Sequence, residues 1–259
     1  MQSSKGAGWI KNPEDIEKIA QSGKILAAAL TAAVAAVRPG VSAAELDQIA
    51  EAEIKGLGGR ASFKGYGGPK QPFPSALCVS VNDVVVHGVP GKELILKEGD
   101  IVGLDLGVDL DGFYSDGAVT LPVGKVSKDA ERLIEVTRMA LEAAIDAARV
   151  GNKIGDISHA MQSVAEKAGF SVVRDLIGHG VGYAVHEDPA VPRYGRPGTG
   201  PELQAGMVLA IEPMVCAGGY QLHSEPGQWP VRTADGSLAA HFEHTIVITE
   251  RGPEILTLP

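Results

Sequence analysis

Cysteine is almost missing from this 259-residue chain, and the two present, Cys78 and Cys216, lie far apart. That argues against a disulfide framework and suits a reduced, cytoplasmic protein. The N-terminus, M-Q-S-S-K-G-A-G-W-I-K, has no apolar core of signal-peptide length. No run elsewhere reads as long enough to span a bilayer, so no membrane partner is expected. Basic clusters are lacking too. The lysines and arginines are scattered through a chain of net charge -9, which argues against a nucleic-acid groove. The Gly- and Pro-rich loop at 65–74 lacks the spacing and the lysine of a phosphate-binding P-loop. Disorder is excluded as well, since 44% of residues are hydrophobic and mean hydropathy is +0.07.

What the chain does have is a costly hairpin. Residues 100–120, D-I-V-G-L-D-L-G-V-D-L-D-G-F-Y-S-D-G-A-V-T, read as two β-rich runs, Ile101–Val108 and Phe113–Thr120, about an Asp111-Gly112 turn. With a two-residue turn, Asp105 pairs with Ala118, and Asp116 lies two residues from Ala118. Side chains two apart on a strand share a face, so both acids project to one side; a bulge would spoil this. Two buried acids repel unless protonated or bound to a cation. The hairpin therefore asks for a metal. Asp109 and Asp111 read as acids of the hairpin tip.

The surrounding elements form a repeat. Asn12-Pro13-Glu14-Asp15 predicts the start of a helix running to about Val37 and stopping at Arg38-Pro39-Gly40. Ser42-Ala43-Ala44-Glu45 reads as a capping box for a second helix, ending near Gly56–Gly59. Strands at Cys78–Asn82 and Val84–Val89 precede the hairpin, and helices return at about Ser127–Arg149 and Ile154–Ala168. A shift of 111 residues superposes Arg38 on Arg149, Gly40 on Gly151 and Gly58 on Gly169. In the strands, Asp105 aligns with Glu212 and Asp116 with Glu243. Two helix-helix-strand-hairpin units predict one α+β domain over 1–259, with halves of about 12–122 and 123–259. Four carboxylates would converge near its pseudo-two-fold axis, inside a curved, mainly antiparallel sheet covered by helices.

Gly178-His179-Gly180-Val181-Gly182 adds an imidazole between glycines, and His186 follows seven residues on. Four acids with one imidazole are more than one ion needs. Two divalent ions suit them, and the donor mixture favours Mn, Fe, Co or Zn over Mg or Ca.

The ordered pattern V-N-D-V-V-V-H-G-V-P, D-L-G…S-D-G, G-H-G-V-G…V-H-E-D-P, A-I-E-P-M and F-E-H-T-I-V-I-T resembles the methionine aminopeptidases over essentially the whole chain. The resemblance implies the pita-bread fold, whose halves are duplicated, and a type I chain, because Glu212 to Glu243 leaves no room for the type II insertion. It places a dinuclear metal site on Asp105, Asp116, His179, Glu212 and Glu243, with Asp116 and Glu243 bridging. It places His87 and His186 beside the scissile peptide bond and Glu212 as proton acceptor for the attacking water. Tyr66, Phe73, Cys78 and Trp229 fall in the methionine pocket. The implied reaction is hydrolysis of the first peptide bond by water activated between two ions. The implied partners are nascent polypeptides beginning with methionine, with the ribosome a candidate partner, and the implied state is a monomer. Three positions depart from the pattern: the Tyr66–Phe73 loop is longer, Val185 replaces a bulky aromatic, and Gly107 replaces a threonine that supports the metal shell.

Two rivals remain: a proline-specific peptidase of the same fold, and an inactive relative serving as a binding scaffold. His159, His223, His241 and His244 read as solvent-facing or structural, with His244 on the strand face opposite Glu243. Cys216 reads as core.

Overall fold

Asn12 begins the first helix, its side chain accepting the Asp15 backbone N–H at 2.9 Å while Pro13 fills the first turn. The structure, a computed structural model, describes residues 8–259; the first seven residues of the stretch read above for a leader lie outside them. Helix α1 (Pro13–Ala36) is long and apolar enough, by length and composition, to cross a bilayer. This corrects the expectation that no run reaches that length. Here the apolar face is directed inward, with Ile19, Leu26, Ala29 and Ala33 buried, while Lys18 and Glu14 pair on the exposed side at 2.9 Å. Helix α2 (Ala43–Gly56) is capped by Ser42, whose hydroxyl accepts the Glu45 N–H at 3.2 Å. Only half of the expected capping box is made, because the Glu45 carboxylate accepts from Arg38 instead. In the second half α3 (Lys128–Ala147) and α4 (Ile154–Lys167) occupy the positions the repeat predicts.

The hairpin is an uninterrupted antiparallel ladder, Ile101–Leu110 against Phe113–Pro122, from Ile101↔Pro122 to Leu110↔Phe113. Its two-residue turn holds Asp111 at φ 52° and Gly112 at φ 86°, and the Asp109 carboxylate accepts the Gly112 N–H at 2.8 Å. Among the described residues it sits inside a nine-stranded sheet. Leu77–Val81 flanks one arm. Glu243–Thr249 flanks the other, followed by Val208–Ile211, Ile177–Gly180 and Glu187–Pro192, each antiparallel to its neighbour. The strand expected over Val84–Val89 stops at Val86, because His87 turns to φ 58°, where extended backbone cannot continue.

Each helix pair covers its own half of this sheet. Leu26, Ala33, Leu46 and Ile54 pack with Leu77, Leu104 and Leu106; Ala140, Leu141, Ile157 and Met161 pack with Leu209, Ile211 and Ile246. The expected α+β arrangement, a mainly antiparallel sheet under two helix pairs, is the one observed. A C-terminal segment also crosses α1 so closely that a Cβ on Gly23 would lie 2.1 Å from the Leu256 carbonyl oxygen. Helix propensity favours alanine there by about 0.8–1.0 kcal/mol, but a clash with backbone costs more. Gly23→Ala is expected to destabilise the protein by roughly 1–3 kcal/mol, read as a lower urea midpoint at unchanged m-value.

Candidate metal centre

Residues that face one another across antiparallel strands lie on the same side of the sheet. Asp105 faces Ala118, and Ala118 faces Glu243. Asp116, two residues from Ala118, shares that side. His179 faces Ala210, which faces Thr245, two residues from Glu243. Since Ile211 faces His244, the next residue, Glu212, comes abreast of Glu243. Two adjacent rows of one sheet face thus collect all four acids and the imidazole. Asp116 is held further by Thr245, whose hydroxyl accepts the Asp116 N–H at 2.9 Å and donates to its carbonyl at 2.8 Å.

All five side chains are buried, none more than 9% exposed. Donor atoms of Asp105, Asp116 and Glu243 lie within 4.8 Å of one another, as do those of His179, Glu212 and Glu243, and those of Asp116, His179 and His186. His179 Nε2 is 4.0 Å from Asp116 Oδ2 and 3.8 Å from Glu212 Oε1. Burial, then neighbouring carboxylates, holds Asp105, Asp116 and Glu243 well above the usual carboxylate range. Burial raises Glu212 as well, with Arg193 opposing it. Burial also lowers the His179 imidazole to about 4, so it is neutral at pH 7 and can offer Nε2 as a donor. Asp105 Oδ1 and Glu243 Oε1 are buried with no hydrogen-bond partner among the described residues. Clustered acids with unpartnered oxygens, beside a neutral imidazole, fit divalent cations of the Mn, Fe, Co and Zn kind.

Beside this cluster opens a cavity of ≈ 360 Å³. Phe73, Cys78 and Trp229 line it, with Tyr66 at its mouth. Phe73 and Trp229 meet edge to face at 5.4 Å between centroids. The long loop between Tyr66 and Phe73 closes on itself: Phe73 N–H donates to the Tyr66 carbonyl at 2.7 Å and Gly65 N–H to the Phe73 carbonyl at 2.8 Å. Both rings therefore stay in the wall despite the extra residues. Val185 is buried and lies outside the cavity lining.

His87 and His186 also line the cavity, and burial lowers both imidazoles to about 4. His186 packs against Tyr66 at 5.1 Å and His179 at 4.4 Å. Its loop is anchored by the next residue: Glu187 accepts from the Tyr183 and Ala184 N–H groups and pairs with the buried Lys11, which in turn donates to the Gly8 carbonyl at 2.8 Å. Lys11 thus braces the residue next to His186.

Of the four histidines read as solvent-facing or structural, His159 and His223 lie at the surface. His244 binds the Thr257 hydroxyl through Nδ1 at 2.9 Å. His241 is not solvent-facing. It is 3% exposed, lines the cavity, and puts Nε2 3.6 Å from Glu212 Oε2 and 3.7 Å from Glu243 Oε2. Its strand pairs with the one that follows Glu212, Met214 facing His241, which folds it against the acids. Sequence reading missed Arg193 altogether. That side chain is 1% exposed and donates from Nε to the Glu212 carbonyl at 2.7 Å and from Nη2 to Glu212 Oε2 at 2.6 Å.

Gly107, the third departure, faces Asp116. A Cβ there would lie 2.2 Å from the Ser62 hydroxyl and 2.9 Å from Phe63. The volume of a side chain at 107 is already filled by residues 62 and 63.

Residues 17–250 match the model of metallopeptidase family M24. The methionine aminopeptidase of Clostridium acetobutylicum is 49% identical over 96% of this chain and 98% of its own. Methionine aminopeptidase 1 of Bacillus subtilis is 47% identical over 95% and 98%. The crystal structure of the Thermotoga maritima methionine aminopeptidase superposes with a TM-score of 0.93 at 47% identity, covering 96% of this chain and 99% of that one. Prolidase from Pyrococcus furiosus shares the fold alone, at TM-score 0.78 and 24% identity, and this chain covers 66% of it. With an M24 match over most of its length and near-half identity to methionine aminopeptidases along their full length, the chain belongs to the methionine aminopeptidases of metallopeptidase family M24.

Proposed function

We propose that the chain removes the N-terminal methionine from proteins and peptides through two divalent ions, which Asp105, Asp116 and Glu243 would hold on one side and Asp116, His179, Glu212 and Glu243 on the other. The observation that carries this reading is the pair of donor groups sharing Glu243 on one sheet face, next to a cavity walled by aromatic rings and sulfur. When bound, the ions supply a water of lowered pKa and polarise the scissile carbonyl.

The protein's own groups do the rest. Phe73, Cys78, Trp229 and Tyr66 surround the methionine side chain, whose flexible thioether adapts to such a wall. Burial raises the affinity of the Glu212 carboxylate for a proton, so it can take one from the attacking water and return it to the leaving amine. His186, neutral at pH 7, donates one N–H to the carbonyl oxygen as it gains charge. His87, also neutral, hydrogen-bonds the peptide next to the leaving group. The buried acids would stay paired to the ions.

The whole chain 1–259 would act as one catalytic domain, as a monomer in the cytoplasm, on nascent chains, with the ribosome a candidate site of encounter. The ions would be drawn from Mn, Fe, Co and Zn. The test compares a Met-Ala-initiated peptide with an Xaa-Pro peptide, after chelation and re-addition of each ion. Free methionine released only with metal, and little cleavage of the Xaa-Pro peptide, is the expected result. Preference for Xaa-Pro, or activity indifferent to chelation, would refute it.

A further inference from the structure

Among the described residues Arg193 is the one large cation buried against the acidic cluster, and its contacts divide the two oxygens of Glu212. Oε2 accepts from Arg193 Nη2 at 2.6 Å and faces His241 Nε2 at 3.6 Å, whereas Oε1 faces His179 Nε2 at 3.8 Å. The Glu212 carbonyl is also taken, by Arg193 Nε at 2.7 Å, so the fork grips backbone and side chain together. Among the described residues no lysine or arginine pairs with Asp105, Asp116 or Glu243. The guanidinium is 1% exposed, so solvent screens its charge little.

Resting on the metal reading above, we infer that Arg193 is a positioning residue of the metal centre. It withholds Glu212 Oε2 from coordination, presents Oε1 alone, and weakens the centre's hold on the ion that Glu212 shares with His179. Two effects act in the same direction. An oxygen engaged by a guanidinium is not free to close a bidentate contact. A fixed positive charge a few ångströms from a divalent ion repels it in a medium of low dielectric. In return Glu212 is held in one orientation, with its second oxygen kept free of the ions. A merely structural arginine predicts the opposite outcome on removal, because a loosened site binds metal less well.

The test is calorimetric titration of metal-free protein with Mn2+ at pH 8, for wild type, Arg193→Gln, Arg193→His and Arg193→Lys. Arg193→Gln keeps an amide donor but no charge. Arg193→His serves the same purpose with a neutral imidazole should the glutamine variant not fold. One of the Mn2+ steps is expected to tighten by about tenfold or more in the neutral variants, and both are expected to stay within about threefold of wild type in Arg193→Lys, which keeps the charge. An unchanged or weakened step in the folded neutral variants would overturn the inference, as would equal tightening in the lysine variant. Wild type that binds no Mn2+ would instead overturn the metal reading itself, so the two failures are told apart.

Discussion

Asp116→Asn should lose activity by on the order of 10³-fold or more, since several kcal/mol of transition-state stabilisation come from the ions it helps to hold. Asp116 is, with Glu243, one of the two acids most shared within the cluster. Its donor atoms take part in two of the three close groups, one with Asp105 and Glu243 and one with His179 and His186. The amide preserves shape and leaves the backbone bonds to Thr245 untouched, so the fold is expected to survive. Stability of the metal-free protein gives an independent readout. Asp116 is held well above the usual carboxylate range by burial and by Asp105 and Glu212. Between the unfolded and folded pKa the native state binds the extra proton, so stability falls as pH rises through that window. Removing the acid removes that penalty. Metal-free Asp116→Asn should therefore melt at or above the wild-type temperature at neutral pH, and gain less than wild type when Mn2+ is added. A variant with full activity and two bound ions would sink the ligand assignment.

His186→Ala should keep its metal and slow by about 10²–10³-fold in kcat, the range seen when one donor to a developing oxyanion is removed. Desolvation at the cavity wall, with His179 beside it, lowers the His186 imidazole to about 4 although the side chain is exposed at the cavity mouth, so its contribution is a single N–H rather than a charge. The rival reading is that His186 is itself a ligand, because its nitrogen lies within 4.8 Å of donors on Asp116 and His179. Metal analysis separates the two. Full occupancy with slow turnover supports the oxyanion role, and loss of an ion shows that the histidine coordinates. Some loss of substrate affinity is expected too, because Tyr66 packs on the imidazole and would lose its support.

The hairpin was legible because its signals are local. Asp111-Gly112 specifies a two-residue turn, and once the turn is known strand alternation dictates that Asp105 and Asp116 share a face. The acids of the second half were legible through the repeat. Arg193 was not, for a physical reason. Its partner Glu212 is 19 residues away, just past the end of a strand whose neighbours are chosen by the sheet. His241 did carry a signal. It stands two residues before Glu243, the spacing that places strand residues on one face, although Phe242 interrupts the ladder between the two strands. The inward-facing α1 shows the converse. Its run of alanines, leucine and isoleucine is of membrane length, and only packing against the sheet tells a core helix from a spanning one.

The crowding at Gly107 bears on how this centre could have changed over time. Because the space of a 107 side chain is filled by the Ser62 hydroxyl and the Phe63 ring, neither position is free to drift alone. A threonine introduced at 107 would clash with the Ser62 hydroxyl and the Phe63 ring, whereas trimming residue 62 alone would leave that space empty beside Gly107. The route between the two states passes through a permissive change in the 62–63 segment, after which residue 107 can enlarge. Residues 62, 63 and 107 thus form an epistatic set, and the effect of replacing one depends on which of the others has already been replaced.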